Sequence, residues 1–169
     1  MPGPKFSVVV PLFNEEFAVA GTILAIRDYF EQRGESYEIL LVDNASTDRT
    51  RANAEPLLDG PKIRLLVNAA NLGKGFSVRR GMLEARGELR LHCDADCASS
   101  LASLAMMLEL LDENDLVVGS RLAAGAQLEG DDIVDTAEGP GRRADLRKVD
   151  RVGEADAVEF PGAAGLQFD

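Results

Sequence analysis

The sequence is poor in cysteine and in basic residues, and it lacks a long uncharged hydrophobic segment. Its only cysteines, Cys93 and Cys97, are too few for a disulfide framework or a four-ligand zinc site, so we expect a reduced, cytoplasmic protein. No basic, apolar leader opens the chain, which agrees with that location, and the inner face of the membrane stays open as an alternative. The longest uncharged stretch, 97–108, is far shorter than the roughly 20 apolar residues of a membrane span.

The charge balance restricts the kinds of partner. The chain has 18 lysine and arginine residues against 29 aspartate and glutamate residues, which gives a net charge of -11. Broad electrostatic binding of nucleic-acid phosphates is not expected, so any anionic ligand must be held by a few local cations. With 169 residues, the chain can bury one core. We expect no nucleic-acid partner and no transmembrane segment, whereas peripheral membrane association and the oligomeric state stay open.

Short β-branched runs alternate with longer amphipathic segments over the first 120 residues. This pattern predicts strands at 6–11, 38–43, 63–67, 88–93 and 116–118, and helices at about 15–33, 48–58, 75–85 and 100–111. The strands are continuously hydrophobic, which is typical of a mainly parallel sheet with helices on both faces. Ligands of such sheets bind beyond the carboxyl ends of the strands.

The sequence changes character after residue 128. Residues 129–169 contain 11 acidic and 5 basic residues and no sustained hydrophobic period. Such a composition cannot bury enough apolar surface to offset the entropy of ordering the chain. We therefore expect one domain over 1–128, followed by an acidic, glycine-rich and poorly ordered tail over 129–169.

The first two strands lead into polar loops. Residues 11–16 read PLFNEE, and Pro11 cannot provide the close backbone approach of a dinucleotide-binding turn, so nicotinamide and flavin chemistry is not expected. The second strand ends at Asp43 and continues with serine, threonine and aspartate residues that can cap a helix. A plain capped turn is the alternative interpretation of that segment.

A pair of carboxylates follows the fourth strand. Asp94 and Asp96 are separated by one residue, a pattern that suits a hydrated Mg²⁺ or Mn²⁺ ion sharing the oxygens of a diphosphate. Zinc bound by His92, Cys93 and Cys97 is disfavoured, because consecutive strand residues point to opposite faces.

Five motifs follow one another along the first 121 residues. They read VVVPLFNEE at 8–16, LVDNASTDRT at 41–50, NLGKG at 71–75, ARG at 85–87 with DAD at 94–96, and GSR at 119–121. In these motifs and their order the chain resembles the family 2 glycosyltransferases, which use a nucleotide-diphosphate sugar on the GT-A fold. Its segment 73–82 is most similar to the polyprenyl-phosphate (dolichyl-phosphate) mannosyl- and glucosyltransferase branch. The resemblance implies a GT-A-like, Rossmann-like α/β fold, here truncated on the acceptor side.

The resemblance also implies a nucleotide-sugar site made from Pro11, Phe13, Glu15, Asp43, Lys74, Asp94, Ala95, Asp96 and Arg121. The first three residues would line the base and ribose pocket, and Asp43 would hydrogen-bond the base. Asp94 and Asp96 would contact the ribose and bind the metal of the diphosphate, Mg²⁺ or Mn²⁺. The two basic residues would lie near the nucleotide or its phosphates.

The implied reaction moves a hexose from a UDP- or GDP-linked sugar to a polyprenyl phosphate or similar lipid-phosphate or glycan acceptor, with inversion by direct displacement. A phosphate acceptor is already a competent nucleophile and needs little help from a general base, so no catalytic residue is assigned. Residues 129–169 do not match the usual acceptor region, and a non-catalytic nucleotide-sugar-binding module is therefore the alternative. A nucleotidylyltransferase would need a glycine-rich basic loop after the first strand, which PLFNEE does not supply.

Overall fold

Strands and helices alternate along the part of the chain that the computed structural model describes, namely residues 3–95, 101, 103–118, 158–160 and 163–166. A first unit, residues 1–101, contains β1 (Phe6–Leu12), α1 (Val19–Arg33), β2 (Tyr37–Asp43), α2 (Thr50–Ala54) with a 3₁₀ turn (Glu55–Leu57), β3 (Ile63–Val67), α3 (Lys74–Glu84) and β4 (Leu89–His92). A second unit, residues 102–169, contains α4 (Leu104–Leu111) and the antiparallel strands β5 (Val158–Phe160) and β6 (Ala163–Leu166). Among the described helices, none has both the length and the apolar character needed to cross a membrane.

The first unit is built on a four-stranded sheet in the order β3-β2-β1-β4. All three neighbouring pairs are parallel, and Val8 of β1 lies opposite Ile39 of β2 and Leu91 of β4. The central strands are built from valine, leucine and isoleucine side chains with almost no exposed surface. The predicted α/β class with a parallel sheet is confirmed.

Helices cover both faces of this sheet. Alternate residues of a strand point to opposite faces, and the Phe6 ring packs against Phe30 of α1 with their centroids 5.0 Å apart. On the other face, Gly81 of α3 lies so close to Val9 and Val42 that any Cβ there would clash with the first of these valines. Because both faces are buried, the two central strands carry continuous apolar runs, 8–10 in β1 and 39–42 in β2, rather than alternating apolar and polar residues.

Some element bounds differ from the prediction for physical reasons. Helix α2 ends at Ala54, because Pro56 in the following 3₁₀ turn interrupts the α-helical hydrogen bonds. The predicted strand at 116–118 is wrong, since the structure has no strand within its described residues 103–118. The predicted tail contains β5 and β6, and the rest of 129–169 lies outside the described residues.

A buried carboxylate joins the amino ends of β1 and β2 to the start of β4. Glu38 has no exposed surface and accepts hydrogen bonds from the Ser7 hydroxyl at 2.7 Å, the Arg86 amide at 2.6 Å and Arg64 Nη2 at 3.2 Å. Burial favours a higher pKa for Glu38, but the hydrogen bonds from Ser7 and Arg86 outweigh it and lower the pKa. Next to Arg86, only glycine fits at position 87, because a Cβ there would lie 2.6 Å from the Ser7 amide nitrogen. This cluster fixes where β4 begins, and so where its carboxyl end emerges.

Candidate functional site

A cleft of about 430 Å³ opens at the carboxyl edge of the sheet, where ligands of parallel sheets bind. It is lined by Pro11, Leu12, Phe13, Glu15, Asn44, Asn71, Lys74, Ser77, Asp94 and Ala95. These residues come from the ends of β1 and β2, the loop before α3 with its first turn, and the residues after β4. Six of the nine predicted site residues are thus brought together: Pro11, Phe13, Glu15, Lys74, Asp94 and Ala95.

The loop after β1 forms one wall of the cleft and is held by the loop after β2. The Asn14 amide donates to the Ser46 hydroxyl at 3.0 Å, and the Glu15 amide donates to the Thr50 hydroxyl at 2.7 Å. Asn14 has a positive φ of 57°, a left-handed conformation that asparagine adopts more readily than most residues. Phe13 remains 44% exposed and presents an apolar ring at the wall of the cleft.

Asp48 completes the connection between these two loops. Its carboxylate accepts hydrogen bonds from the Thr50 amide at 2.9 Å and from the Glu16 amide at 3.1 Å. Desolvation favours a higher pKa for Asp48, but the hydrogen bonds from Thr50 and Glu16 outweigh it and lower the pKa. The carboxylate therefore stays ionised at neutral pH and keeps accepting both amide protons.

The loop before α3 also lines the cleft. The Asn44 carboxamide oxygen accepts a hydrogen bond from the Leu72 amide at 3.0 Å, and its Nδ2 donates to Asn71 Oδ1 at 2.7 Å. The Asn71 oxygen also accepts from the Gly73 amide at 3.1 Å. Gly73 has a φ of 88°, which only glycine adopts without strain, and it leads into the first residue of α3, Lys74.

An ion pair crosses the cleft. Lys74 Nζ lies 2.7 Å from Asp94 Oδ1, and their side chains are 59% and 49% exposed. His92 Nε2 lies 3.4 Å from the same carboxylate oxygen. Desolvation lowers the pKa of His92, Asp94 opposes this effect and Lys74 adds to it, so the net pKa is lowered. Exposed ion pairs contribute little to stability, so Lys74 and Asp94 can each turn to a ligand at low cost.

Asp43 lies beside the cleft without lining it. Its side chain has no exposed surface, and its carboxylate is bonded to Arg51 Nε at 2.6 Å and to the Ser46 amide at 3.3 Å. The next residue, Asn44, lines the cleft instead. The role of Asp43 in base recognition therefore stays a prediction.

The remaining predicted site residues, Asp96 and Arg121, lie outside the described residues. Within the described part of the chain, no three histidine, cysteine, aspartate or glutamate side chains converge as a metal-binding group. Asp94 offers a carboxylate that is open to the cleft, and such an oxygen ligand fits a hydrated Mg²⁺ or Mn²⁺ ion, which needs only one or two protein carboxylates beside substrate oxygens.

Sequence reasoning missed four residues that line the cleft: Leu12, Asn44, Asn71 and Ser77. The first three lie inside the motifs, where their neighbours were assigned instead. Strand alternation was the available signal at the end of β2, because Asp43 and Asn44 must point in different directions. Ser77 is three residues after Lys74, and helical spacing places residues three apart on one face.

The sequence model of the family "Glycosyl transferase family 2" matches residues 7–162. A dolichyl-phosphate beta-glucosyltransferase of Trichomonas vaginalis is 30% identical over 171 residues, covering 94% of this chain and 48% of that protein. A dolichyl-phosphate beta-glucosyltransferase of Drosophila melanogaster is 31% identical over 147 residues, covering 78% of this chain and 44% of that protein. A solved mannosyltransferase from Pyrobaculum calidifontis, in complex with GDP-Man and Mn²⁺, is similar with a TM-score of 0.49 and 26% identity, over 56% of this chain and 28% of that one.

The chain spans about half the length of the curated relatives named above. The family match, by contrast, extends over nearly the whole chain and includes every described residue that lines the cleft. This chain therefore belongs to glycosyl transferase family 2.

Proposed function

We propose that the chain binds the donor in a metal-dependent, inverting transfer of a hexose from a nucleotide-diphosphate sugar to a polyprenyl phosphate or a similar acceptor. The observation that carries this proposal is the cleft itself, which Asp94 and Lys74 line together with Pro11, Phe13 and Glu15. The first two residues offer charges for a metal-bound diphosphate, and the other three offer apolar and carboxylate surface for a nucleoside.

Lys74 is the residue best placed to bind the diphosphate. The chain carries a net charge of -11, so an anion has to be attracted by a nearby cation rather than by the protein as a whole. Lys74 begins α3, and an ammonium at this position adds to the positive amino end of the helix. The phosphate oxygens would replace the Asp94 carboxylate as the partner of Lys74.

Asp94 would hold the metal together with Asp96 and phosphate oxygens of the donor. When bound, Mg²⁺ or Mn²⁺ neutralises the diphosphate and stabilises it as the leaving group. Phe13 and Pro11 would support the base and ribose, and Glu15 offers a carboxylate to the sugar hydroxyls. UDP- and GDP-linked donors are both compatible with these residues.

The acceptor is proposed from the names of the relatives, two of which are dolichyl-phosphate beta-glucosyltransferases. A phosphate oxygen of the acceptor would form a bond to the anomeric carbon as the bond to the diphosphate oxygen breaks, which inverts that carbon. The acceptor phosphate is already ionised at neutral pH, so the step releases no proton and needs no general base. We place this activity in the cytoplasm, since two cysteines and no disulfide framework are typical of a reducing compartment.

A nucleotide-release assay tests the proposal. The protein is incubated with Mn²⁺, a short polyprenyl phosphate and each of UDP-glucose, UDP-galactose and GDP-mannose. Release of nucleoside diphosphate that depends on the polyprenyl phosphate is the expected result. Binding of the donors without release would favour the alternative function, a nucleotide-sugar-binding module, and absence of donor binding would refute both.

A further inference from the structure

A buried asparagine behind the cleft is bonded to both sides of Lys74. Asn68 follows β3, is 3% exposed and does not line the cleft. Its Nδ2 donates to Asn44 Oδ1 at 3.0 Å and to Ser77 Oγ at 2.9 Å, and its Oδ1 accepts from Arg80 at 2.8 Å. The carboxamide therefore uses its donors and its acceptor within the protein.

The two side chains that accept hydrogen bonds from Asn68, those of Asn44 and Ser77, connect it to the chain before and after Lys74. Asn44 binds the Leu72 amide directly, so one branch reaches the loop that precedes Lys74. Ser77 lies in the first turn of α3, so the other branch reaches the helix just after Lys74. Asn68 is thus hydrogen-bonded, directly or through Asn44, to the chain on both sides of Lys74.

The segment around Lys74 is held in place by hydrogen bonds, among them those that Asn71 Oδ1 accepts from Asn44 and Gly73. Residues 69–76 are all exposed, so apolar burial contributes little to their position. Segments with few buried contacts open locally unless hydrogen bonds fix them. Asn68 and Asn44, which are 3% and 4% exposed, supply buried hydrogen bonds at this point. Their loss would leave the position of Lys74 poorly defined.

We propose that Asn68 is a positioning residue that sets nucleotide affinity through Lys74, a role that rests on the proposed function of the cleft. Asn68 does not touch the ligand. It fixes residues 71–74 and the first turn of α3, so that the Lys74 ammonium is already in place when the diphosphate arrives. The entropy cost of ordering the loop then belongs to folding and does not reduce the affinity for the nucleotide.

A double-mutant cycle of Asn68→Ala and Lys74→Met, read by calorimetric titration of UDP and GDP at saturating Mn²⁺, tests this role. We expect Asn68→Ala to weaken binding about fivefold when Lys74 is present and by less than about twofold when it is methionine. Ser7→Ala is the matched control, because it removes buried hydrogen bonds, to Glu38 at 2.7 Å and from the Gly87 amide at 2.7 Å, at the amino ends of the strands and away from the cleft. That control should leave both affinities unchanged.

Hydrogen exchange of the Leu72 and Gly73 amides gives a second measurement that needs no ligand. Asn68→Ala should speed both exchange rates at least about tenfold, whereas Ser7→Ala should not. If Asn68→Ala does not fold, Asn68→Asp takes its place, since it keeps the acceptor for Arg80 and removes both donors.

The outcomes separate this role from the proposed function. Equal losses of affinity in both Lys74 backgrounds, or exchange rates that Asn68→Ala leaves unchanged, would overturn the positioning role while nucleotide binding stands. Failure of the parent protein to bind either nucleotide would overturn the proposed function, and this inference with it.

Discussion

Replacement of the buried Glu38 by glutamine tests whether its ionised carboxylate holds the sheet together. The carboxylate accepts hydrogen bonds from the Ser7 hydroxyl and the Arg86 amide on Oε1, and from the guanidinium groups of Arg86 and Arg64 on Oε2. Glutamine keeps the size of the side chain and can keep the two bonds on Oε1. Its NH₂ group would face the two guanidinium groups and would lose their charge-assisted bonds.

The expected cost follows from how exposed the two arginines are. Hydrogen bonds to charged groups contribute about 1.5–3 kcal/mol each when buried. The Arg86 side chain is 48% exposed and can turn to water, whereas the Arg64 side chain is 24% exposed and has less freedom to do so. We therefore expect Glu38→Gln to lower the free energy of unfolding by about 2–3 kcal/mol in total at pH 7.

The loss of stability in Glu38→Gln depends on pH, and the pKa of Glu38 sets the direction of that dependence. The pKa of Glu38 is lowered in the folded protein from its ordinary value of 4.5, so the folded state binds this proton less readily than the unfolded state. The stabilisation is thus complete above about pH 4.5 and is lost as the pH falls through the lowered pKa. The difference between the parent protein and Glu38→Gln should shrink in acid.

Urea unfolding followed by circular dichroism from pH 7 to pH 3 measures both effects. Glu35→Gln is the control, because Glu35 pairs with Lys5 at 2.8 Å on the surface, and its loss should cost less than about 1 kcal/mol. A Glu38→Gln effect at pH 7 no larger than that of the control would refute the reasoning. A difference that stays constant into acid would refute the charge as its cause.

Three further predictions concern the cleft and the sheet. Lys74→Met should weaken UDP and GDP binding at saturating Mn²⁺ by about three- to tenfold in calorimetry, and unchanged affinity would exclude a phosphate contact. UDP or GDP should bind at least about tenfold more tightly than ADP. Asp43→Ala should narrow this ratio of affinities, whereas Arg51→Ala should leave it unchanged. Equal affinity of the parent protein for all three nucleotides would reject a base contact by Asp43. Gly81→Ala should destabilise the fold by about 1–3 kcal/mol in urea unfolding because its Cβ clashes. Gly75→Ala in the same helix, with nothing within 4 Å of its Cβ, should not.

The parallel sheet was predictable because both its faces are buried. Continuous apolar runs located β1 to β3 to within one residue at each end, and the stripe of Val19, Ile23, Ile26 and Phe30 located α1. The start of α1 was not predictable, because the amides of residues 14–16 donate to side chains of residues 46–50, which follow β2. The Glu15 amide, for example, donates to the Thr50 hydroxyl, a contact 35 residues apart that periodicity cannot reveal.

The site was predictable as a set of loops but not side chain by side chain. The motifs lie after parallel strands, whose carboxyl ends meet at the same edge, and the structure brings Lys74 and Asp94 together in one cleft there. They could not show that Asp43 would be buried against Arg51 while Asn44 lines the cleft. The bonds of Asn68 were also hidden, because its partners lie 24 and 9 residues away along the chain.

Calorimetric titration of the protein with UDP and GDP, with Mn²⁺ and then with EDTA, tests the central claim most directly. We expect at least one of the two nucleotides to bind with Mn²⁺ and to lose most of its affinity in EDTA. Asp94→Asn should weaken the Mn²⁺-supported affinity by about 1–3 kcal/mol, the cost of losing one charged ligand. Affinity that is indifferent to both EDTA and Asp94→Asn, or absence of binding with Mn²⁺ present, would contradict a metal-dependent nucleotide-sugar site in this cleft.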